Sequence, residues 1–194
     1  MRLVVATRNP HKLRELGEIL TAFELVPLPA GIELPPEDGE TFAANALPKA
    51  RAARDATGCA ALADDSGIAA AALAGRPGVR SARFAGEGAS DEDNLARLIT
   101  ELRPHGDRSV AYVCALAHVD QDGVETVVEG RCEGTLIDEP RGEGGFGYDP
   151  AFVPADTGPG DDRTMAELSP VEKHAISHRG RAARALAAAL GPGS

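Results

Sequence analysis

The sequence predicts an α/β fold, a mixed sheet with flanking helices. Three observations carry this. A short apolar run, Leu3-Val4-Val5-Ala6, is followed at once by a helix-start signal, Asn9-Pro10. Apolar residues then recur at helical spacing at Leu13, Leu16, Ile19 and Leu20. The order strand, helix, strand, helix gives way to several strand-like segments and closes on an Ala/Leu-rich helix.

Residues 3–6 read as a short buried strand and residues 24–28 as a second. The helix between them has Asn9 as N-cap and Pro10 as its first residue. Residues 29–39 are acidic and rich in Pro and Gly, so they form a loop. A second helix is predicted over 41–57, ended by Gly58, with Pro48 kinking it or opening it locally. Residues 59–63 and 68–73 read as two strands around a tight turn, Asp64-Asp65-Ser66-Gly67. Residues 75–88 are loop-like. Ser90 opens a third helix, through Leu102, whose acidic first turn suits the helix dipole. Segments 109–119 and 124–131 alternate as a hairpin around Asp120-Gln121-Asp122-Gly123. Further strands are expected over 134–137 and 151–153. Ser169-Pro170-Val171-Glu172 is a capping box, and the helix it opens continues to Leu190 and stops at Gly191-Pro192.

The 194 residues suit one domain, or one domain in two lobes, without a separable linker. A chain of that length buries about 70% of its unfolded surface. A charge of −10 with no basic block argues against a nucleic-acid partner. No apolar run approaches the roughly 18 residues that span a bilayer, so no membrane partner is expected. The first eight residues hold too short an apolar segment for a signal peptide. Cys59, Cys114 and Cys132 are odd in number and widely spaced, with no metal-type pattern. A reduced, cytoplasmic setting follows. One bias sharpens the search for a site: of 20 basic residues only Lys12, Lys49 and Lys173 are lysine.

Four segments carry candidate chemistry. Thr7-Arg8-Asn9-Pro10-His11-Lys12 crowds cations at a helix start, an end that already attracts anions. A bound polyphosphate would resolve that conflict; a solvated patch is the alternative. In Ala63-Asp64-Asp65-Ser66-Gly67, two adjacent carboxylates end an apolar strand. Carboxylate oxygens suit Mg²⁺, and Glu37, Asp38 and Glu40 of the preceding loop are available to complete such a site. The alternative is a turn using Asp and Gly for its geometry. The segment Gly142-Glu143-Gly144-Gly145-Phe146-Gly147-Tyr148-Asp149-Pro150 has four Gly in six residues and two of the seven aromatics. A flat heterocycle fits against such rings, unless they pack inward. In Lys173-His174-Ala175-Ile176-Ser177-His178-Arg179, Ser177 can cap the last helix, placing His178 and Arg179 in its first turn. A solvated helix face is the alternative. Together the four suggest a nucleoside polyphosphate with Mg²⁺, without choosing a reaction.

These motifs resemble the inosine triphosphate pyrophosphatase family, which hydrolyses non-standard purine nucleoside triphosphates. The matching pieces are Thr7-x-Asn9-x-x-Lys12, Thr41-Phe42-x-x-Asn45-Ala46-x-x-Lys49-Ala50, Ala63-Asp64-Asp65-Ser66-Gly67, Gly144-Gly145-Phe146-Gly147-Tyr148-Asp149-Pro150 and Ser177-His178-Arg179-Gly180. All three lysines fall in or beside them. The resemblance implies an elongated mixed α/β sheet, one domain over residues 1–194 with two lobes around a central substrate cleft, and a homodimer. It implies Mg²⁺-dependent attack of water at the α-phosphorus of ITP, dITP or XTP. The products are the monophosphate and pyrophosphate. Thr7, Arg8, Asn9, Pro10, His11 and Lys12 would hold the triphosphate, and Ser66 would contact the substrate. Glu37 and Asp65 would hold Mg²⁺. Asp65 would be general base, with Asp64 assisting and Lys49 neutralising developing charge. Phe146, Gly147, Tyr148 and Asp149, with Lys173, His178 and Arg179, would form the base pocket. There, cationic donors such as Arg179 and Lys173 would favour an O6 acceptor over the amino group of adenine. Arg8, Ala44 and Pro48 depart from the family pattern. A pyrophosphatase for modified pyrimidine triphosphates and a nucleotide-binding regulator without turnover are the competing readings.

Overall fold

Strand β1 (Arg2–Val5) buries its last three residues, and α1 (Pro10–Ile19) begins five residues later. The helix starts as expected: Asn9 is N-cap, and its side chain accepts from the N–H groups of His11 and Lys12. Leu16 and Leu20 are buried, with Leu13 and Ile19 packed partly buried beside them. The computed structural model describes residues 1–191. Strand β2 (Glu24–Pro27) runs parallel to β1, with Val4 opposite Val26. After the predicted loop, α2 (Phe42–Thr57) has Thr41 as N-cap and closes on Gly58 at φ 67°, a left-handed position that glycine takes without strain. The helix continues through Pro48.

The largest departure from the sequence reading comes next. Strand β3 (Ala61–Ala70) passes straight through Asp64, Asp65, Ser66 and Gly67, where a turn was expected. Asp and Gly suit the geometry of a turn, and two buried carboxylates are costly unless they are satisfied. Here distant side chains satisfy both within the strand. Gly67 is there for close approach: a Cβ would lie 2.3 Å from Ser81 Oγ and 2.5 Å from the Gly78 carbonyl. The segment read as loop over 75–88 contains a short 3-10 helix, Gly78–Arg83. Helix α3 (Asp91–Leu102) has the full capping box, Ser90 with Asp93.

Strands β4 (Ser109–Val119) and β5 (Glu125–Leu136) form the expected hairpin. The separate strand expected over 134–137 is the end of β5, which continues through its glycines to pair antiparallel with β6 (Phe152–Pro154). The sheet order is β2-β1-β3-β4-β5-β6, and β1 is also parallel to β3. The C-terminal helix is two helices. Helix α4 (Pro170–Ile176) keeps the Ser169/Glu172 capping box, and α5 (His178–Leu190) follows after Ser177, whose backbone is extended. The expected stop falls partly outside the described residues, because Pro192 is not among them; Gly191 has φ 73°.

The chain divides into two compact units, each with its own core. The first comprises residues 1–65, 114–130 and α5 from Arg179; Val5, Leu16, Leu62, Leu116 and Leu186 fill it. The second comprises residues 66–113 and 131–178; Ile68, Leu98, Leu102, Leu136 and Phe152 fill it. Among the described residues no helix is long and apolar enough to cross a membrane.

Candidate active site

In the first unit, strand alternation decides the fate of the paired carboxylates. Successive residues of β3 face opposite sides of the sheet. Asp64 is 1% exposed and meets three groups. The Lys12 ammonium pairs with it, Arg179 Nε lies 3.1 Å away, and the Cys114 thiol donates at 3.0 Å. Burial opposes the charge on Asp64, but Arg179 and Lys12 outweigh it and hold the carboxyl well below the usual range. Arg179 is equally buried, and its other arm donates to Glu15.

Asp65 has a different environment. Burial is the largest influence and raises its pKa, and the charge of Glu37 adds to that. A hydrogen bond from Asn45 Nδ2 at 2.9 Å and the Lys49 charge pull the other way without prevailing. Asn45 also accepts from the Gly39 N–H at 2.7 Å, tying the acidic loop to this carboxylate. Lys49 donates to the Glu37 carboxylate and to the Asp64 carbonyl at 2.8 Å. All three reach Asp65 from α2 and the loop before it: Asn45 and Lys49 share one face of the helix, four residues apart. Asp38 and Glu40 lie exposed on the same loop.

The helix-start motif is partly self-satisfied. Thr7 Oγ1 accepts from the Asn9 N–H at 3.1 Å, and Asn9 caps α1. His11 is exposed, and Pro10 occupies the first turn. Arg8 turns away to the loop, donating to the carbonyls of Leu28, Pro29 and Ile32 at 2.8–3.1 Å.

In the second unit the glycine-rich segment closes around Asp149. This carboxylate is 3% exposed and accepts from Tyr112 Oη at 3.0 Å, from the Phe146 N–H at 3.0 Å and from Lys173 Nζ at 2.7 Å. Gly145 and Gly147 take φ of 72° and 65°; a Cβ on Gly145 would lie 2.0 Å from Asp149 Oδ2. The Lys173 ammonium stands 5.4 Å from the Phe146 ring centre. Phe146 is half-buried, but Tyr148 packs inward and donates to the Ser81 carbonyl at 2.8 Å. His178 is buried and stacks on Tyr112, ring centres 4.5 Å apart. Ser66 is half-buried on β3.

The structure thus gathers Lys12, Asp64 and Arg179 in one cluster, and Glu37, Lys49 and Asp65 in another. A third contains Phe146, Asp149 and Lys173. Arg179, expected beside the base, is committed to Asp64 and Glu15. Four contributors escaped the sequence reading as site residues: Asn45, Glu15, Tyr112 and Cys114. Asn45 did leave a signal, being one of three asparagines and lying one turn before Lys49. Glu15, Tyr112 and Cys114 left none, since their partners come from remote segments.

For a metal, the relevant donors are the Glu37 and Asp65 carboxylates. Their mutual repulsion and their hard oxygens fit a divalent cation of the Mg²⁺ type, which takes one or two carboxylates and keeps other positions for water and phosphate. Among the described residues no group of three or more His, Cys, Asp or Glu forms a complete protein cage.

Residues 3–189 match the model of the Ham1 family. A dITP/XTP pyrophosphatase of Frankia alni is 53% identical over 201 residues, covering 98% of this chain and 97% of its own. The structure of a HAM1 protein from Coxiella burnetii is similar at TM-score 0.86 and 40% identity, covering 98% of each chain. A nucleoside-triphosphatase/dITP/XTP pyrophosphatase from Mycobacterium abscessus is similar at TM-score 0.76 and 48% identity, covering 99% of this chain and all of its own.

Proposed function

Because this chain belongs to the Ham1 family, we propose that it is a nucleoside triphosphate pyrophosphatase. In this reading it acts on dITP, XTP and ITP, releasing monophosphate and pyrophosphate and so clearing non-standard purines from the nucleotide pool. The observation that carries the chemistry is Asp65. A desolvated carboxylate with a raised pKa, oriented by Asn45 and facing Lys49, is poised to take a proton from water. The water oxygen forms the new bond to the α-phosphorus. The bond to the bridging oxygen breaks, and the electron pair leaves with pyrophosphate. Lys49 and Lys12 counter the phosphate charge in a site of low dielectric.

Mg²⁺, when bound by Glu37 and Asp65, would supply Lewis-acid neutralisation of the phosphate oxygens. Asp64 has a separate task. Its carboxylate is taken up by Lys12, Arg179 and Cys114, so it positions Lys12 and does not touch reacting atoms. The base is assigned to the Phe146 and Lys173 cluster, where the ammonium favours an O6 acceptor. Asp149 holds that lysine in place. A homodimer belongs to the same reading, and sedimentation at micromolar protein checks it.

The test is product analysis. The purified protein is incubated with dITP, XTP, GTP, ATP and a modified pyrimidine triphosphate, with Mg²⁺ and with chelator. Monophosphate plus pyrophosphate, fastest from dITP or XTP and lost with chelator, is the expected result. Release of orthophosphate, or preference for the pyrimidine, overturns the assignment. Binding without turnover makes the protein a nucleotide sensor.

A further inference from the structure

Outside these clusters, the second unit carries a cavity of about 220 Å³ lined by Arg76, Pro77, Arg80, Arg83, Phe84 and Arg97. Four guanidiniums around one small cavity are unexpected on a chain of charge −10. The fold places them together: Arg76 precedes the 3-10 helix Gly78–Arg83, Arg80 and Arg83 lie on it, and Arg97 comes from α3. Arg97 lies over the Phe84 ring, 4.6 Å from its centre, and donates to the Phe84 carbonyl. Local carboxylates neutralise the group only in part. Glu101 is shared between Arg76 at 3.1 Å and Arg97 at 2.9 Å. Arg83 reaches Glu87 at 3.6 Å, and Glu87 is largely solvated. Arg80 has no acidic partner among the described residues.

We propose that this four-arginine cavity is a second anion site, taking a compact phosphate-class anion such as pyrophosphate, orthophosphate or a nucleotide phosphate. The chemistry selects the class. Guanidinium presents paired N–H donors that match phosphate oxygens two at a time. The walls formed by Pro77 and Phe84 exclude water on one side and strengthen the attraction. Size selects within the class, because the cavity lies below the roughly 300–1,000 Å³ of pockets that enclose drug-sized ligands. A phosphate group fills it, and a nucleoside would extend into solvent. The proposal rests on the proposed reaction only in that pyrophosphate is the anion this enzyme would itself generate.

The experiment is calorimetric titration of metal-free protein with pyrophosphate, orthophosphate and AMP in turn. Amide NMR shifts locate each event. Wild type is expected to show pyrophosphate-dependent shifts at residues 76–84 and 97, weakening as salt rises. Arg76→Glu with Arg80→Glu changes two exposed side chains. That variant should weaken this event about tenfold or more, the scale of one lost charge-assisted contact. Its dITP turnover without added pyrophosphate should match wild type. The relative strength of the three anions identifies the source. Arg80→Ser alone, a milder change, guards against misfolding and should weaken the same event. Shifts confined to Thr7–Lys12 and the Asp65 neighbourhood, or binding unaffected by both variants, overturn the proposal. So does a change in oligomeric state without any loss of anion binding, which would make the arginines an interface between copies. If dITP is not hydrolysed at all, the shift map still reads this site independently.

Discussion

Asp64 and Asp65 are neighbours in one strand, yet they occupy opposite kinds of environment. Asp64 faces two cations and a thiol and is driven toward permanent ionisation. Asp65 faces an amide, a partly engaged lysine and another carboxylate, and burial drives it toward holding a proton. The difference is not chemical identity or depth, since both are buried. It is how directly each is matched: Lys12 and Arg179 pair with Asp64 itself, whereas the cations that act on Asp65 are opposed by Glu37. Charge that is fully matched makes a rigid anchor. Charge that is under-matched makes a group able to change protonation state during a reaction.

The contrast predicts opposite consequences for the same substitution. Asp64→Asn has the larger effect. It leaves buried Arg179 and half-buried Lys12 with one fewer negative charge, and breaking such a network costs about 3–5 kcal/mol. The melting temperature of a chain this size falls roughly 2–4 °C per kcal/mol. Linkage adds a direction. A depressed carboxyl stabilises the fold above its unfolded pKa of about 3.9, and that stability is lost as pH falls through the folded value. The difference between wild type and variant should therefore close in acid. A melt at pH 7 that matches wild type would show that the network contributes nothing.

Asp65→Asn should instead leave stability unchanged or improved at pH 7. A raised carboxyl costs stability while ionised, and the cost is relieved as pH falls through its folded pKa. The loss appears in turnover: kcat for dITP drops at least about 100-fold, equivalent to about 2.7 kcal/mol of barrier. A variant with lower melting temperature and near-normal kcat would reverse the roles assigned to the pair.

The same contrast marks what could be read from the chain. The helix starts at Asn9-Pro10, Thr41, Ser90 and Ser169-Pro170 were legible because capping is local. The five motifs were legible as a set, and they led to the right family. The course of β3 was not. A strand through Asp64 is affordable only because Arg179 arrives from 115 positions away and Cys114 from 50. No window around residue 64 contains that information. For the same reason the pairing of Arg179 with Asp64 left no local signal. Arg8 shares the helix-start segment with Lys12, yet its three acceptors lie in the loop that follows β2, and no local pattern announces them.

The smallest expected effect isolates what Asn45 contributes to this balance. Its amide donates to Asp65, and its carbonyl accepts from Gly39, so it couples the protonation state of Asp65 to the placement of the Glu37 loop. Asn45→Ala removes a donor that favours the ionised carboxylate. Asp65 then holds its proton to higher pH. The acid limb of the pH–kcat profile should move upward, because the base must be ionised to accept a proton from water. At the plateau above that limb Asp65 is ionised in both proteins, so kcat should fall less than about tenfold, equivalent to less than about 1.4 kcal/mol of barrier. Asn45→Asp separates the two halves of the role. It keeps an acceptor for Gly39 but sets a second negative charge against Asp65, so its limb should move further than that of the alanine variant. If both variants shift the limb equally, Asn45 acts through the loop alone, and the under-matched state of Asp65 is set by Lys49 and Glu37.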